Sequence, residues 1–500
     1  RSSSFDISLN EVEIADINIR SLRCNNCSSC YNCSEGESGV ANSFSTSITP
    51  SIQNGVIEAS ATYNHTESNS TGFLDWFRIV VQRELQAKNN RLFFYSPADG
   101  SSSELGQYRL TGFDSQPTVL DVTDPTSPKL LGSTGSNGTF SVNYRTGNDL
   151  RFIAQSTFNQ PAAGQPVEAQ NLRGITEYPD YIIVVAEEFL EYAEELAAYR
   201  ADKDGLTPVV VTQEQILNEF SSGVLDPSAI RDYTKFLYDR ALNDGQIPPK
   251  YLLLFGDATY DYKDIINNSF TNYIVTYQSS ESLERTRSYA TDDFFGFLDD
   301  DEGALGAGNT NNSHLLDIGL GRIPAQNRSE AATAIQKIKI YEDPSNTGSW
   351  QNLISFAADD DFPDVDRNRD LHVLNADESA ERMNIIEPGL RIKKIYEFAY
   401  PEEITGSGRQ IPGATEEFIS TLNNGTLVMN YSGHGNEQTL SDEELFLTDY
   451  IPNLTNKNYL AVLVTATCQF GRYDDIDAQS GAEQLFFAEN GGVIGAFTTT

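Results

Sequence analysis

Cys468 and His434 are the two residues of this 500-residue chain whose types and spacing best suit covalent catalysis. A free thiol with a pKa of about 8.5 is only slightly ionised at neutral pH. A nearby imidazole can remove its proton and later protonate a leaving amine. The pair therefore predicts acyl transfer through a cysteine thioester, whereas the alternative for Cys468 is a small buried apolar side chain.

The surroundings of both residues favour the catalytic interpretation. The chain has five cysteines, and Cys468 stands apart from the four in tract 24–33. Among the four histidines, only His434 lies between two glycines, Gly433 and Gly435, which allow tight turns and close substrate approach. Backbone N–H groups near Gly435 and Cys468 could form an oxyanion hole. The alternative for His434 is a loop histidine without a role.

The predicted strands would bring the two residues together. Apolar runs at 426–431 and 460–465 predict strands that end shortly before His434 and Cys468. In an open parallel sheet, sites form just past the carboxyl ends of the strands. The two residues are 34 positions apart, close to one crossover connection, so neighbouring strands would place both at one edge of the sheet.

Strands and helices alternate through residues 171–500, which predicts a mostly parallel α/β sheet flanked by helices, with two subdomains at about 178–345 and 346–500. Apolar runs predict strands at 180–186, 208–211, 251–255, 353–357, 392–396, 426–431, 460–465 and 493–498. Helical spacing predicts helices at 187–199, 213–220, 228–242, 329–341, 377–385, 415–422 and 481–489.

The N-terminal region, residues 1–170, is predicted to be β-rich and sandwich-like. Alternating runs predict strands at 14–20, 56–63, 77–85, 140–144 and 151–154, and a linker follows at 159–166. The region contains the cysteine tract, whose spacing of three residues leaves open two local disulfides, one tetrahedral Zn²⁺ or free thiols. The tract consists of Cys24, Cys27, Cys30 and Cys33.

Composition excludes some classes of partner. The chain has 34 Lys and Arg against 72 Asp and Glu, a formal net charge of -38, which repels nucleic acid and anionic membranes. No apolar run approaches the length of about 20 residues that a membrane-spanning helix needs. The first residues lack the apolar core of a signal peptide, and the last ones read as part of a strand, so we expect a fragment of a longer chain.

Several motifs resemble the gingipain family of cysteine peptidases, peptidase family C25. The resemblance rests first on Tyr-Ser-Gly-His-Gly at 431–435 and Ala-Thr-Cys-Gln-Phe-Gly at 466–471, and it extends over about 180–500. Further familial segments lie at 251–257, 291–296 and 318–324. The resemblance implies a caspase-like α/β fold, preceded here by the sandwich-like region.

The resemblance also implies roles for individual residues. Cys468 would be the nucleophile, His434 the base and Gly435 the oxyanion donor. The family orients its histidine with an acid at the end of an earlier strand, which implies Asp359 or Asp360, with a solvated acidic loop as the alternative. Asp370 lies near the position of the aspartate that selects arginine in some members, but the intervening sequence differs, and we infer no arginine specificity.

The chemistry itself requires no cofactor, but the family binds Ca²⁺. Two carboxylate-dense loops are therefore candidates for a structural calcium site, one at 299–302 and one at 359–366. The first consists of Asp299, Asp300, Asp301 and Glu302. In so acidic a chain, the alternative for either loop is a solvated surface without an ion.

Within the family, the sequence most resembles the signal peptidases of the type IX secretion system, including over residues 50–170. That resemblance implies a cysteine endopeptidase on the extracellular face of the bacterial outer membrane. It would remove C-terminal sorting domains from cargo delivered by an outer-membrane barrel shuttle protein. It could also transfer the acyl group to a lipopolysaccharide amine, as a sortase does, and it would have no nucleic-acid partner.

Two alternatives remain. The chain could be a free secreted protease of the gingipain type, or an adhesion protein whose peptidase domain is inactive. The presence of both His434 and Cys468 with their glycines argues against the inactive form.

Overall fold

The structure, a computed structural model, divides the chain into two compact units. One combines Arg1–Thr66 with Gln170–Thr500, and the other is Glu67–Ala169. The described residues are 3–19, 57–65, 83–96, 105–147, 149–160, 169–266, 271–279, 288–303, 314–360, 371–406 and 408–500, with a few short stretches between them. The cysteine tract 24–33, residues 361–366 of the second acidic loop and Asp370 lie outside these residues. Among them, no helix combines the length and the hydrophobicity that crossing a bilayer requires.

The first strands form an antiparallel sheet with the order β2-β1-β3. They are β1 (Ser3–Leu9), β2 (Val12–Ile19) and β3 (Ala59–Asn64). Asn10 and Glu11 join β1 to β2, and both have positive φ, 49° and 66°. This is the backbone of a two-residue hairpin turn that matches the twist of the strands. The strands predicted at 14–20 and 56–63 overlap β2 and β3.

The unit Glu67–Ala169 contains two antiparallel sheets, β4-β10-β6-β7 and β5-β9-β8. Their strands are β4 (Arg91–Tyr95), β5 (Leu105–Thr111), β6 (Thr118–Asp121), β7 (Lys129–Leu131), β8 (Thr134–Ser136), β9 (Thr139–Arg145) and β10 (Arg151–Gln155). Phe94 and Phe152 from the first sheet share one core with Leu110 and Phe140 from the second, which makes this unit sandwich-like.

The strand predicted at 77–85 is wrong at its described positions, which have no regular structure. Phe77, at the start of the predicted strand, is 64% exposed, and the preceding Trp76 is 70% exposed. An alternating pattern forms a strand when one of its faces is covered, whereas the described residues 77–79, 83 and 84 are exposed.

The first parallel sheet of the larger unit has the order β12-β11-β13-β16. Its part of the chain contains β11 (Tyr181–Val185), α1 (Leu190–Asp204), β12 (Pro208–Thr212), α2 (Gln213–Phe220), α3 (Ser228–Asn243), β13 (Tyr251–Phe255), β14 (Tyr277–Gln278), β15 (Ala290–Thr291), β16 (Gly319–Ile323) and α4 (Arg328–Tyr341). Every residue of β11 is buried, as its unbroken apolar run predicts.

The sequence did not predict β16 as a strand, because two glycines and Arg322 interrupt its apolar character. Arg322 is nevertheless held inside the protein. Its guanidinium binds both carboxylate oxygens of Asp292, at 2.6 and 2.7 Å, and donates to the carbonyl oxygen of Gly256. Paired in this way, a buried charge is compatible with a strand.

The second parallel sheet has the order β18-β17-β21-β24-β25. Its part of the chain contains β17 (Leu353–Ala358), α5 (Leu371–Ile386), β18 (Arg391–Tyr396), β19 (Glu403–Thr405), β20 (Gly408–Gln410), α6 (Pro412–Asn424), β21 (Val428–Ser432), β22 (Thr439–Leu440), β23 (Phe446–Leu447), β24 (Ala461–Ala466), α7 (Gly481–Phe487) and β25 (Val493–Phe497).

Helices cover both faces of this second sheet. Successive side chains of β17 point to opposite faces: Phe356 packs with Ala376 and Ala380 of α5, whereas Ala357 lies in the core that contains Phe418 of α6. The predicted fold class, a mostly parallel sheet flanked by helices and preceded by sandwich-like β structure, is confirmed.

Lys337 of α4 joins the first parallel sheet to the second. The side chain is buried, and its ammonium group donates to the carbonyl oxygens of Phe486 at 2.7 Å, Gly491 at 2.9 Å and Leu485 at 3.1 Å. These carbonyls surround the end of α7 and the turn into β25. The N–H groups of Lys337 satisfy carbonyl groups that the end of a helix leaves without partners.

Candidate active site

His434 and Cys468 follow neighbouring strands in matched register. β21 and β24 are parallel, and Ser432 of β21 pairs with Ala466 of β24. His434 lies two residues beyond Ser432, and Cys468 lies two residues beyond Ala466. Both side chains are exposed. The strands are therefore neighbours, as predicted, and their carboxyl ends bring a thiol and an imidazole to the same edge of the sheet.

Asp359 reaches this edge from the other side of β21. Its strand, β17, pairs Ala358 with Ser432, and the N–H of Asp359 donates to the carbonyl oxygen of Ser432 over 3.1 Å. Its carboxylate accepts the backbone N–H of His434 over 2.9 Å. Asp359 is buried, and this burial raises the pKa of its carboxyl group to about 7.

Of the two acids that the sequence left open, the structure brings Asp359 to His434. Asp360 instead binds Arg409, with both of its oxygens 2.7 Å from the guanidinium nitrogens. The contact of Asp359 differs from the expected one, because it involves the backbone of His434 and holds the residue in place.

The backbone carbonyl of His434 is held in place as well as its N–H. Its oxygen accepts from the Tyr431 hydroxyl at 2.7 Å and from the N–H of Ser441 at 2.9 Å. Tyr431 is fully buried in the core of the second sheet. The imidazole thus projects from a backbone segment that is anchored on both sides.

Gly435 lies against the residue that precedes the thiol. A Cβ added at this position would be 2.5 Å from the Thr467 hydroxyl oxygen and 2.9 Å from the carbonyl oxygen of Thr439. Real Cβ atoms do not approach other atoms so closely, so the position requires glycine. This close approach brings the loop of His434 against the loop of Cys468.

A tight turn presents Cys468 between β24 and α7. The next residue, Gln469, has a φ of 56°, in the left-handed region that side chains rarely adopt. Phe470 is fully buried, accepts the N–H of Ala482 on its carbonyl and packs so closely on Gly481 that a Cβ there would be 2.4 Å from its ring. Buried contacts thus fix the backbone on the carboxyl side of the thiol.

Comparisons with known proteins identify the family of this chain. Residues 175–500 match the sequence profile of peptidase family C25. The chain belongs to peptidase family C25. Gingipain R2 of Porphyromonas gingivalis is 22% identical over 295 residues, which are 58% of this chain and 32% of that protein.

Solved structures of two C25 proteins are also similar. Dimeric latent PorU from Porphyromonas gingivalis is 24% identical, with a TM-score of 0.49, over 70% of this chain and 33% of that one. Arg-specific gingipain R (RgpB) is 20% identical, with a TM-score of 0.45, over 66% of this chain and 63% of that one. The chain thus spans about one third of Gingipain R2 and PorU. The caspase-like fold expected of a C25 domain agrees with its helix-covered parallel sheets.

Two acids of this C25 domain that the sequence did not single out lie near Asp359. Glu397 directly follows β18, and Glu443 lies in the loop between β22 and β23. In an open parallel sheet, sites form just past the carboxyl ends of the strands. This principle pointed to His434 and Cys468, and it applies equally to Glu397. Burial raises the pKa of Glu397 to about 9, and it raises the pKa of Glu443 as well.

His372 is a further neighbour that the sequence did not single out. Its ring stands edge-on to that of His434, with 5.0 Å between the ring centroids. It belongs to the first turn of α5, which begins after residues outside the described part of the chain, and no pattern in the sequence links it to His434.

Among the described residues, the carboxylates of the acidic loop at 299–302 do not converge on one position as a ligand set would. Arg231 donates to the carbonyl oxygens of Asp299 at 3.0 Å and Glu302 at 3.2 Å, and Lys235 lies 3.1 Å from the carboxylate of Asp300. Arg231 thus holds the loop through its backbone, and Lys235 neutralises one of its carboxylates. Among the described residues, the acidic side chains that approach one another closely enough to share an ion are Asp359, Asp360, Glu397 and Glu443.

Proposed function

We propose that this C25 protein is a cysteine endopeptidase in which Cys468 is the nucleophile and His434 the general base. The observation that carries the proposal is the register of β21 and β24, which places both residues two positions beyond a paired Ser432 and Ala466. Both side chains are exposed, so a peptide can approach them.

The proposed reaction proceeds through a thioester. His434 accepts the thiol proton of Cys468 as sulfur attacks the carbonyl carbon of the scissile peptide bond. The oxyanion that forms is stabilised by backbone N–H groups, with Gly435 as the assigned donor. The carbon–nitrogen bond then breaks, and His434 returns the proton to the leaving amine. Water or an amine next attacks the thioester and restores the thiol.

Asp359 is proposed as a positioning residue. It lies between β17 and the backbone of His434, and its hydrogen bond fixes the point from which the imidazole extends. Such preorganisation matters because a small displacement of a reacting group can slow a reaction by about 100-fold.

For the substrate, we propose exported proteins that carry C-terminal sorting domains. The support is the sequence resemblance to type IX secretion signal peptidases, which extends into the N-terminal region. The protein would act on the extracellular face of the outer membrane with a barrel shuttle protein as partner, and the acceptor would be water or a lipopolysaccharide amine. The first alternative, a free secreted protease of the gingipain type, shares the same site. The second is an adhesion protein whose peptidase domain is inactive.

A thiol-directed peptidase probe tests the catalytic proposal. We expect the probe to label Cys468 in the wild-type protein, as mapped by peptide mass spectrometry. His434→Ala keeps the thiol but should label much more slowly. Cys468→Ala is the control for labelling of the tract 24–33. Equal labelling of wild type and Cys468→Ala would contradict the proposal and support the adhesion alternative.

A separate experiment tests the sorting role. Cargo proteins from a strain that carries Cys468→Ala should keep their C-terminal sorting domains, whereas wild-type cells should release processed cargo. Normal cargo ends in that strain, together with a probe-reactive Cys468, would favour the free protease.

A further inference from the structure

An ion pair joins the loop of His434 to the turn that carries Cys468. Arg472 lies four residues after Cys468, and Glu437 lies three residues after His434. The Nη1 of Arg472 donates to the Oε1 of Glu437 over 3.0 Å. Each of the two side chains is 28% exposed, so solvent screens the pair only in part. The contact therefore links the segments that carry the thiol and the imidazole.

The backbone around Glu437 limits how far this loop can move. The carbonyl oxygen of Glu437 accepts the N–H of Gly481, at the start of α7, over 2.6 Å. Asn436, the preceding residue, donates its N–H to the carbonyl oxygen of Thr439 over 3.0 Å. The side chain of Glu437 thus extends from a fixed backbone, so an arginine that binds it acts on the loop as a whole.

Two further acids hold the guanidinium of Arg472 in position. Its Nη1 lies 3.1 Å from the carboxylate of Asp475, and its Nε lies 3.6 Å from that of Asp474. Asp474 is buried, and its other carboxylate oxygen accepts the amide of Gln278 over 2.9 Å. Its carbonyl oxygen accepts the N–H of Tyr260 over 3.0 Å. Gln278 and Tyr260 belong to the part of the chain that contains the first parallel sheet, which thereby fixes the arginine.

We propose that Arg472 is a positioning residue of the peptidase, which holds the loop of His434 against the turn of Cys468. The inference rests on the proposed function, because it concerns the same thiol and imidazole. Asp359 fixes His434 from the side of β17, whereas Arg472 fixes the loop from the side of β24 and α7. Two such contacts limit the displacement of the base, and a displacement of about 1 Å can slow a reaction about 100-fold.

Alkylation of Cys468 by iodoacetamide measures this role, because the thiolate is the reactive form and the small uncharged reagent needs no substrate subsite. At about pH 6.5 a thiol reacts quickly only when a base assists it, whereas at about pH 9.5 it ionises without help. The ratio of the two rates therefore reports the action of the imidazole, and a change in the exposure of Cys468 alters both rates alike. Peptide mass spectrometry distinguishes Cys468 from the tract 24–33.

Two variants remove the ion pair, and a third is a matched control. Arg472→Met and Glu437→Met remove the two charges and keep unbranched side chains. We expect each to lower the ratio of the rates about 10-fold, and the double variant to lower it no further, because both changes act through one contact. Arg200→Met should keep the wild-type ratio, since Arg200 binds Glu342 at 2.7 Å and Asp204 at 3.0 Å, in an ion-pair group that includes neither Cys468 nor His434.

His434→Ala separates the two possible failures. If this variant and the wild-type protein have the same ratio, the base role of His434 fails and the inference falls with it. If His434→Ala lowers the ratio while Arg472→Met or Glu437→Met, folded by circular dichroism, keeps the wild-type value, only the inference is overturned. An equal loss in Arg200→Met also overturns it, because lower stability would then explain the change. If Arg472→Met does not fold, Glu437→Met decides.

Discussion

The carboxylate of Asp359 accepts the backbone N–H of His434 over 2.9 Å. This contact connects the end of β17 to the loop after β21, so Asp359 fixes the backbone position from which the imidazole of His434 extends. We expect Asp359→Ala to lower kcat by about 10- to 100-fold with little change in KM, because the substrate contacts remain while His434 is less well placed. Peptidase assays would measure both constants.

Asp359→Asn is the matched variant, because its amide oxygen can still accept the same N–H. It should recover most of the activity that alanine loses. An unchanged kcat in Asp359→Ala, in a protein that unfolds like wild type, would show that the contact has no positioning role.

Gly435 should not tolerate a side chain. In Gly435→Ala, the added Cβ would collide with the hydroxyl of Thr467 and the carbonyl oxygen of Thr439, so the loops of His434 and Cys468 must separate. We expect activity to fall at least 100-fold. Gly321→Ala is the control, since a Cβ there meets nothing within 4 Å. Probe labelling and peptide hydrolysis should fall in the first variant and persist in the second; equal rates in both would refute the prediction.

Lys337 should contribute strongly to stability. Lys337→Met would leave the carbonyls of Leu485, Phe486 and Gly491 without their buried donor, and we expect a loss of about 3 kcal/mol in the free energy of unfolding. Lys339→Met removes an ion pair with Glu195 on the exposed side of the same helix and should cost less than about 1 kcal/mol. Urea denaturation gives both values. Similar losses in the two variants would contradict the role of Lys337.

Asp257 should make stability depend on pH. Burial raises the pKa of its carboxyl group from 3.8 to about 7. Between these values the folded protein holds a proton that the unfolded chain has released. Stability from this group is therefore complete below about pH 4 and falls as the pH rises toward 7, by at most about 1.4 kcal/mol per pH unit for one proton.

Asp257→Asn removes the titrating group and should flatten this part of the curve. Glu483, whose pKa is raised by burial and by Asp257, would account for some of the slope that remains. Asp202→Asn, on the exposed face of α1, should leave the slope of the wild-type protein unchanged. Denaturation midpoints over this pH range test the prediction, which fails if Asp257→Asn and the wild-type protein have the same slope.

Periodicity and chain order predicted the neighbourhood of His434 and Cys468, because both follow mainly apolar strands joined by one crossover. Neither could show whether Asp359 or Asp360 contacts His434. Adjacent residues at a strand end point to opposite sides, and the choice depended on Arg409, which lies about fifty positions later and takes Asp360.

Other features depended on contacts that are distant in sequence. The strand β16 was not predicted because Arg322 is compatible with the interior of the sheet only when it is paired with Asp292. The carboxylates of Glu397 and Glu443 were not linked to Asp359 because three separate loops bring them together. The number of acids in the loop 299–302 does not reveal whether their carboxylates converge, because that depends on the course of the backbone, which Arg231 holds through two carbonyl oxygens.

The paired register of Ser432 and Ala466 makes strand length a determinant of where His434 and Cys468 lie. Side chains alternate faces along a strand, so one residue inserted into β21 or β24 would turn His434 or Cys468 toward the opposite side. Substitutions inside these strands need only preserve apolar packing, whereas an odd insertion would separate the thiol from the imidazole even in a well-folded protein. During divergence, these two strands should therefore accept changes of residue far more readily than changes of length.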